Sequence, residues 1–243
     1  MQIPNFPECD HRLVGSLSHY SDYGLITQFQ QQPDSGRYFT AIFCRYSPVV
    51  YSLVRHSARS PVQSDYLFAL TWRHILHELS GIELPETPPE QDSAARPWFQ
   101  SWLINLTAAC INQSLLPEVE SIHYSITQAS PPLWCYVSQA LDQLAPLHRL
   151  IVLMAQTFHW SETRIAAYLQ AEGDAIAPHQ VRSQLKLAYQ ALEAALPDDI
   201  RAIYLDYEWA DAAAETGLGL GSELNDLLEA DFDLSSLPQR QPT

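Results

Sequence analysis

Two helix-length apolar patterns separated by a break constrain this chain more than any other stretch. In WSETRIAAYL, Ile165, Ala166 and Leu169 recur at helical spacing. After a break rich in Gly, Asp and Pro, PHQVRSQLKLAYQAL places Val181, Leu185, Ala188, Tyr189 and Leu192 on one face of a second helix. Two short helices joined by a turn are the skeleton of a helix-turn-helix. Ser161 or Thr163 can cap the first, Glu162 puts negative charge at its positive end, and Pro178 suits the opening turn of the second. The second helix presents His179, Gln180, Arg182, Ser183 and Lys186 away from the apolar stripe. Side chains of these types donate to phosphates and base edges, and the first turns of a recognition helix are where such contacts are made. These five residues are therefore the candidate DNA-binding set. A solvated polar face is the competing reading of the same pattern.

The rest of the chain reads as further helices and polar connections. Residues 1–20 have no periodicity and are expected to form a flexible lead. From residue 21, Leu25, Ile26 and Phe29 mark a short helix with Asp22 as its cap. Phe39, Ile42, Phe43, Tyr46, Val50, Leu53 and Val54 then mark a longer one, in which Pro48 either bends the helix or marks its true start. A third helix carries Tyr66, Leu67, Leu70, Trp72, Ile75 and Leu79, with Ser64 or Asp65 as cap. Residues 81–96 are Pro-rich and acidic and read as an exposed loop, after which Pro97 opens a helix through PWFQSWLINLTAACINQSLL. A Pro-bounded linker, 118–132, separates residues 21–117 from residues 133–197. The expected fold class is all-α, two small helical domains joined by a linker, the C-terminal one a helix-turn-helix.

No apolar run reaches the length of a membrane span, and the first residues lack the order of a signal peptide, which makes the cytoplasm the expected compartment. Cys9, Cys44, Cys110 and Cys135 are scattered without a C-x-x-C pair, so reduced thiols are expected rather than zinc ligands or disulfides. His74 and His77 stand three apart, but a third metal ligand is not evident, and they read as polar face residues. The chain lacks the metalloprotease, nucleophile-elbow, P-loop and dinucleotide signatures, so the expectation is no enzyme, no catalytic residues, no metal and no cofactor.

The segment ALDQLAPLHRLIVLMAQTFHWSETRIAAYL, followed by IAPHQVRSQLKLAYQAL, resembles the promoter-binding region of the extracytoplasmic-function (ECF) group of bacterial RNA polymerase sigma factors. The resemblance rests on Leu144 to Pro146, the aliphatic run from Leu150 to Met154, Phe158, Trp160, Ser161, Ile165, Ala166, and Val181 to Leu185 with Ala188. The turn QAEGDA is longer than the family's. Residues 21–117 resemble the family's core-binding region through Asp22, Leu25 and Ile26, then Phe39, Ile42, Phe43, Tyr46, Val50 and Tyr51, then Asp65, Leu67 and Trp72. The resemblance implies RNA polymerase core and promoter DNA as partners, with an antagonist (anti-sigma) protein as a further partner class. It implies Asp65, Phe68, Trp72 and Arg73 as polymerase contacts, although the family's Gln-acid pair is replaced here by Phe68, Ala69, Leu70 and Thr71. Phe99, Trp102, Leu103, Leu106, Ala109 and Asn112 align with the family's promoter-melting helix, which here has no Lys or Arg after Arg96.

Charge cuts against an independent DNA binder. The formal net charge is −15 at pH 7, whereas proteins that hold DNA by its phosphates carry a basic patch. Residues 133–197 hold five acids against Arg149, Arg164, Arg182 and Lys186, whereas residues 198–243 hold eleven acids against Arg201 and Arg240. The function expected from these readings is a sigma-like initiation factor whose DNA affinity depends on a partner. The alternative is a degenerate sigma-like regulator that binds protein with little DNA contact. The acidic extension, with its hinge GLGLGS and its alternation of acids with Leu and Phe, has the composition of a segment that docks on a partner groove.

Overall fold

The apolar periodicities become helices throughout, and no strand occurs among the described residues, which in this computed structural model are 4–84, 98–122 and 124–205. Most of the 81–96 loop, Pro97 and residues 206–243 with the GLGLGS hinge lie outside them. In chain order the helices are α1 (Arg12–Gly15), α2 (Asp22–Gln31), α3 (Arg37–Ser57), α4 (Pro61–Leu79), α5 (Trp98–Gln113), α6 (Pro131–Gln143), α7 (Pro146–Gln156), α8 (Glu162–Ala171), α9 (Pro178–Ala195) and α10 (Asp198–Tyr204).

Local chemistry sets their starts, in two places differently from expectation. Ser21, not Asp22, caps α2, its Oγ accepting from Gly24 N at 3.1 Å. Asp22 is instead paired with Arg45 at 2.6 Å and accepts from the Tyr46 hydroxyl. Ser60, not Ser64 or Asp65, caps α4 by accepting from Gln63 N at 3.1 Å, with Pro61 in the first turn. Pro48 lies inside α3 rather than at its start.

The main core is aromatic. Phe39, Phe43, Phe68, Trp72 and Phe99 are fully buried, with Phe43 and Trp72 in edge contact at 4.9 Å between ring centres. Helix α6, expected to open a separate C-terminal domain, packs against α4 and belongs to this core through Leu133, Trp134, Tyr136, Val137, Ala140 and Leu141. Ala188 and Leu192 of α9 and Ile200 and Ile203 of α10 join it. A second, smaller cluster of Ile151, Met154, Ile165, Ala166, Leu169 and Val181 holds α7, α8 and the start of α9 together. The linker region is partly structured, with Tyr124 buried and donating to Ala129 O at 2.7 Å.

The expected flexible lead differs most. Residues Pro7–Asp10 form a 3-10 turn ahead of α1, and Phe6, Val14 and Leu17 are buried. Phe6 meets Phe43 at 4.7 Å and Phe68 at 6.1 Å. Cys9 and Cys44, expected as reduced thiols, are disulfide-bonded with their Cα atoms 5.4 Å apart, while Cys110 and Cys135 are free. Sequence spacing carried no signal for the bridge, because a separation of 35 residues is closed only by folding. In the chain-entropy account, closing a loop of that size restricts the unfolded chain by roughly 3–4 kcal/mol.

The last described helix returns to the beginning of the bundle. The Asp199 carboxylate accepts from Gly36 N at 2.9 Å, Arg37 N at 3.0 Å and Ser35 Oγ at 2.6 Å, so it caps α3 from far along the chain. Ile200 occupies the space where a Cβ on Gly36 would lie, which explains a glycine there. Tyr204 donates to Glu8 at 3.2 Å, and Ser130 Oγ donates to the Tyr204 hydroxyl at 3.3 Å. Burial holds the Glu8 carboxyl above its ordinary range.

Asp199→Ala removes two backbone caps and is expected to cost about 1–2 kcal/mol in denaturant unfolding, the range of a lost helix cap. Gly36→Ala is expected to destabilise as well, with partial recovery in the Gly36→Ala, Ile200→Ala double variant.

Because the folded state raises the Glu8 pKa, the contribution of this group is fully present below its unfolded value and is lost as pH rises through the folded value. Glu8→Gln is therefore expected to flatten that part of the stability-against-pH curve in thermal melts across the mildly acidic range.

Candidate functional site

Helices α8 and α9 present the polar residues singled out from the sequence. Ser161 caps α8, its Oγ accepting from Arg164 N at 3.3 Å, with Glu162 in the first turn. The helix ends at Gly173, whose φ of +104° is the left-handed conformation glycine adopts at helix ends. Asp174 N donates to Leu169 O at 2.9 Å, and Gln170 Nε2 holds Ile176 O at 3.1 Å. These bonds order the long turn and let Ile176 pack on the small cluster. Helix α9 then starts with Pro178, and Gln180 Oε1 accepts from Ala177 N at 2.8 Å. Ala177 has no side-chain oxygen, so only that half of a capping box is made.

One face of α9 is anchored. Val181 and Ala188 are fully buried, Leu185 touches both clusters, Gln184 bonds His148 of α7 at 2.8 Å, and Tyr189 pairs with buried Gln156. The opposite face holds His179, Gln180, Arg182, Ser183 and Lys186, all exposed. Their helical spacing puts 179, 182, 183 and 186 in one stripe.

The stripe is not bare charge. Arg182 lies across the start of α8, its Nε 2.7 Å from Glu162 Oε1 and its second nitrogen 3.0 Å from Oε2. This bidentate pair pushes the Arg182 pKa further up and neutralises one of the two cations of the stripe. Ser183 Oγ donates to His179 O at 3.2 Å and keeps its lone pairs.

An aromatic group that the apolar pattern does not reveal lies at the start of α8. Trp160 stacks under Arg164 at 4.2 Å and meets Tyr168 at 5.7 Å and Phe158 at 5.8 Å. Phe158 is 60% exposed and Tyr168 40%. His159 adopts a positive φ of 49°, and Trp160 N closes the end of α7 by donating to Met154 O at 3.0 Å. The spacing of Trp160, Arg164 and Tyr168, four apart along a helix start, was the available signal.

The expected polymerase-binding set is split, with Asp65 and Arg73 partly exposed and Phe68 and Trp72 not. Phe68 and Trp72 are fully buried in the aromatic core, so neither can meet a partner in this fold. Arg73 lies 5.1 Å from the ring centre of Trp134 on α6, and Asp65 accepts from Tyr51 at 3.0 Å. Burial raises the Asp65 pKa, and burial with the neighbouring Asp65 pushes Tyr51 up to about 12. The physical reason is that large apolar side chains on α4 are worth more in the core than at a rim, and Phe6 together with Phe39, Phe43 and Tyr51 of α3 covers the face they share. Among the described residues, no three His, Cys, Asp or Glu side chains gather as a metal site, and no helix is long and apolar enough to cross a membrane.

Comparison of the chain with family models, with curated proteins and with solved structures finds no match in any of the three.

The α8–α9 unit hangs on a small cluster. Ile165→Ala, which empties its centre, is expected to cost about 2–5 kcal/mol. Hydrogen exchange should show lost protection confined to α7, α8 and the first half of α9, with α3 and α4 still protected.

Proposed function

We propose that this chain is a sigma-like transcription initiation factor, not an enzyme. It works in the cytoplasm, binds RNA polymerase core and uses α8 and α9 as a helix-turn-helix on promoter DNA. The observation that carries the reading is the exposed stripe of His179, Arg182, Ser183 and Lys186 on a helix whose other face is held by two apolar clusters. A recognition helix needs that combination, because base edges are read only by side chains whose backbone is fixed. The resemblance of residues 133–197 and 21–117 to the ECF sigma factors supports the same reading.

In this role Arg182 and Lys186 supply phosphate or guanine contacts, while Gln180 and Ser183 add hydrogen bonds. Arg182 reaches DNA by exchanging Glu162 for a phosphate or a base edge. Polymerase supplies most of the affinity, since the charge of the chain opposes unaided DNA binding. An antagonist protein is a further partner class.

A second reading has its own support. The Glu162–Arg182 pair and the net charge of −15 favour a degenerate sigma-like regulator that binds protein and hardly touches DNA.

Pull-down with core polymerase followed by run-off transcription separates them. Binding with promoter-specific transcripts is the expected result. Binding without transcripts selects the second reading, and absence of binding removes both. Within the first reading, Arg182→Ala and Lys186→Ala are each expected to lower the salt dependence of promoter binding by about one in the log–log slope. Glu162→Gln, which frees Arg182, is expected to strengthen promoter binding at low salt.

A further inference from the structure

We propose that the Cys9–Cys44 bridge is a thiol–disulfide exchange site for a dithiol reductant, and that its reduction releases the N-terminal segment together with the docking of α10. The inference does not depend on the proposed function.

Three observations converge. Both cysteines are partly exposed, whereas Cys135 is buried. The segment they tether is weak by itself, because its 3-10 turn and α1 are four residues each, far below the length at which a helix persists unaided. It also carries Glu8, only 5% exposed, whose carboxyl accepts from the Tyr204 hydroxyl and is held above its ordinary range by burial. Its attachment rests on Phe6, Val14, Leu17 and the bridge.

The segment also touches the other end of the described chain. Glu8 accepts from Tyr204 of α10, and Tyr204 in turn accepts from Ser130 at the start of α6. Loosening residues 7–15 therefore withdraws one side of the seat that holds α10, and α10 carries the Asp199 cap of α3.

The chemistry balances. One thiolate of the reductant attacks a bridge sulfur and displaces the other as thiolate. The second thiol of the reductant then resolves the mixed disulfide. Two electrons pass to the bridge, the reductant becomes a disulfide, and Cys9 and Cys44 take up two protons.

The test is hydrogen exchange on the full chain, air-oxidised and after dithiothreitol. Amides of residues 7–15 and 198–205 are expected to exchange roughly tenfold faster or more in the reduced chain, with α4 unchanged. Cys9→Ser should reproduce the reduced pattern without reductant. Equal rates in the two states overturn the proposal, as does an acceleration that includes α4, which would report general destabilisation. Thiol titration of the denatured, air-oxidised chain is expected to count the two of Cys110 and Cys135, and a count of four overturns it as well.

Discussion

Asp199 and the first turn of α3 tie the last described helix back to the start of the first bundle. A helix begins with amide donors that lack partners, and Gly36 has no side chain to satisfy them. Asp199 supplies the missing acceptor from the far end of the described chain, and Ile200 fills the space that the absent Cβ leaves open. Each requirement explains the other: a residue larger than glycine would displace α10, and without α10 the start of α3 would be uncapped. The seat of α10 fixes where α9 ends, because Leu196, Ile200 and Ile203 share the main core with Leu192.

That arrangement makes α9 a bridge. Its second half is packed in the aromatic core and its first half in the small cluster of α7 and α8, with Leu185 in contact with both. The polar stripe is thereby presented on a backbone with little freedom, and freedom lost before binding is not lost again on binding. In the proposed role the Glu162–Arg182 pair adds discrimination. A competing ligand must offer an acceptor at least as good as a carboxylate to draw the guanidinium away, and phosphate does so in the same two-pronged geometry. The Phe158, Trp160, Arg164 and Tyr168 stack forms at the start of the helix that supplies Glu162.

How far this was readable in advance depended on the range of each interaction. The helices of residues 133–197 were legible because an apolar stripe at helical spacing is a local signal, and Pro178 and Ser161 mark starts through bonds to residues a turn away. Cap positions differ at Ser21 and Ser60, where the other candidate side chains are engaged elsewhere. Asp22 is drawn off by Arg45 and Tyr46, and Asp65 by Tyr51. The lead was read as flexible because a single Phe6 has no period to reveal it, yet three aromatic rings meet there. Phe68 and Trp72 were placed on a surface by analogy, when the stripe they belong to is simply the inner side of α4.

The sequence alone determined that the described chain is helical, where α7, α8 and α9 run, and which side of α9 carries its polar residues, since period and composition act over a few residues. Only the tertiary structure decided that α6 joins the first bundle, that Cys9 meets Cys44, that Asp199 caps α3, and that Glu162 holds Arg182. Those contacts join groups from about twenty to more than one hundred and sixty residues apart, and no local pattern records which distant partner the core will bring into reach.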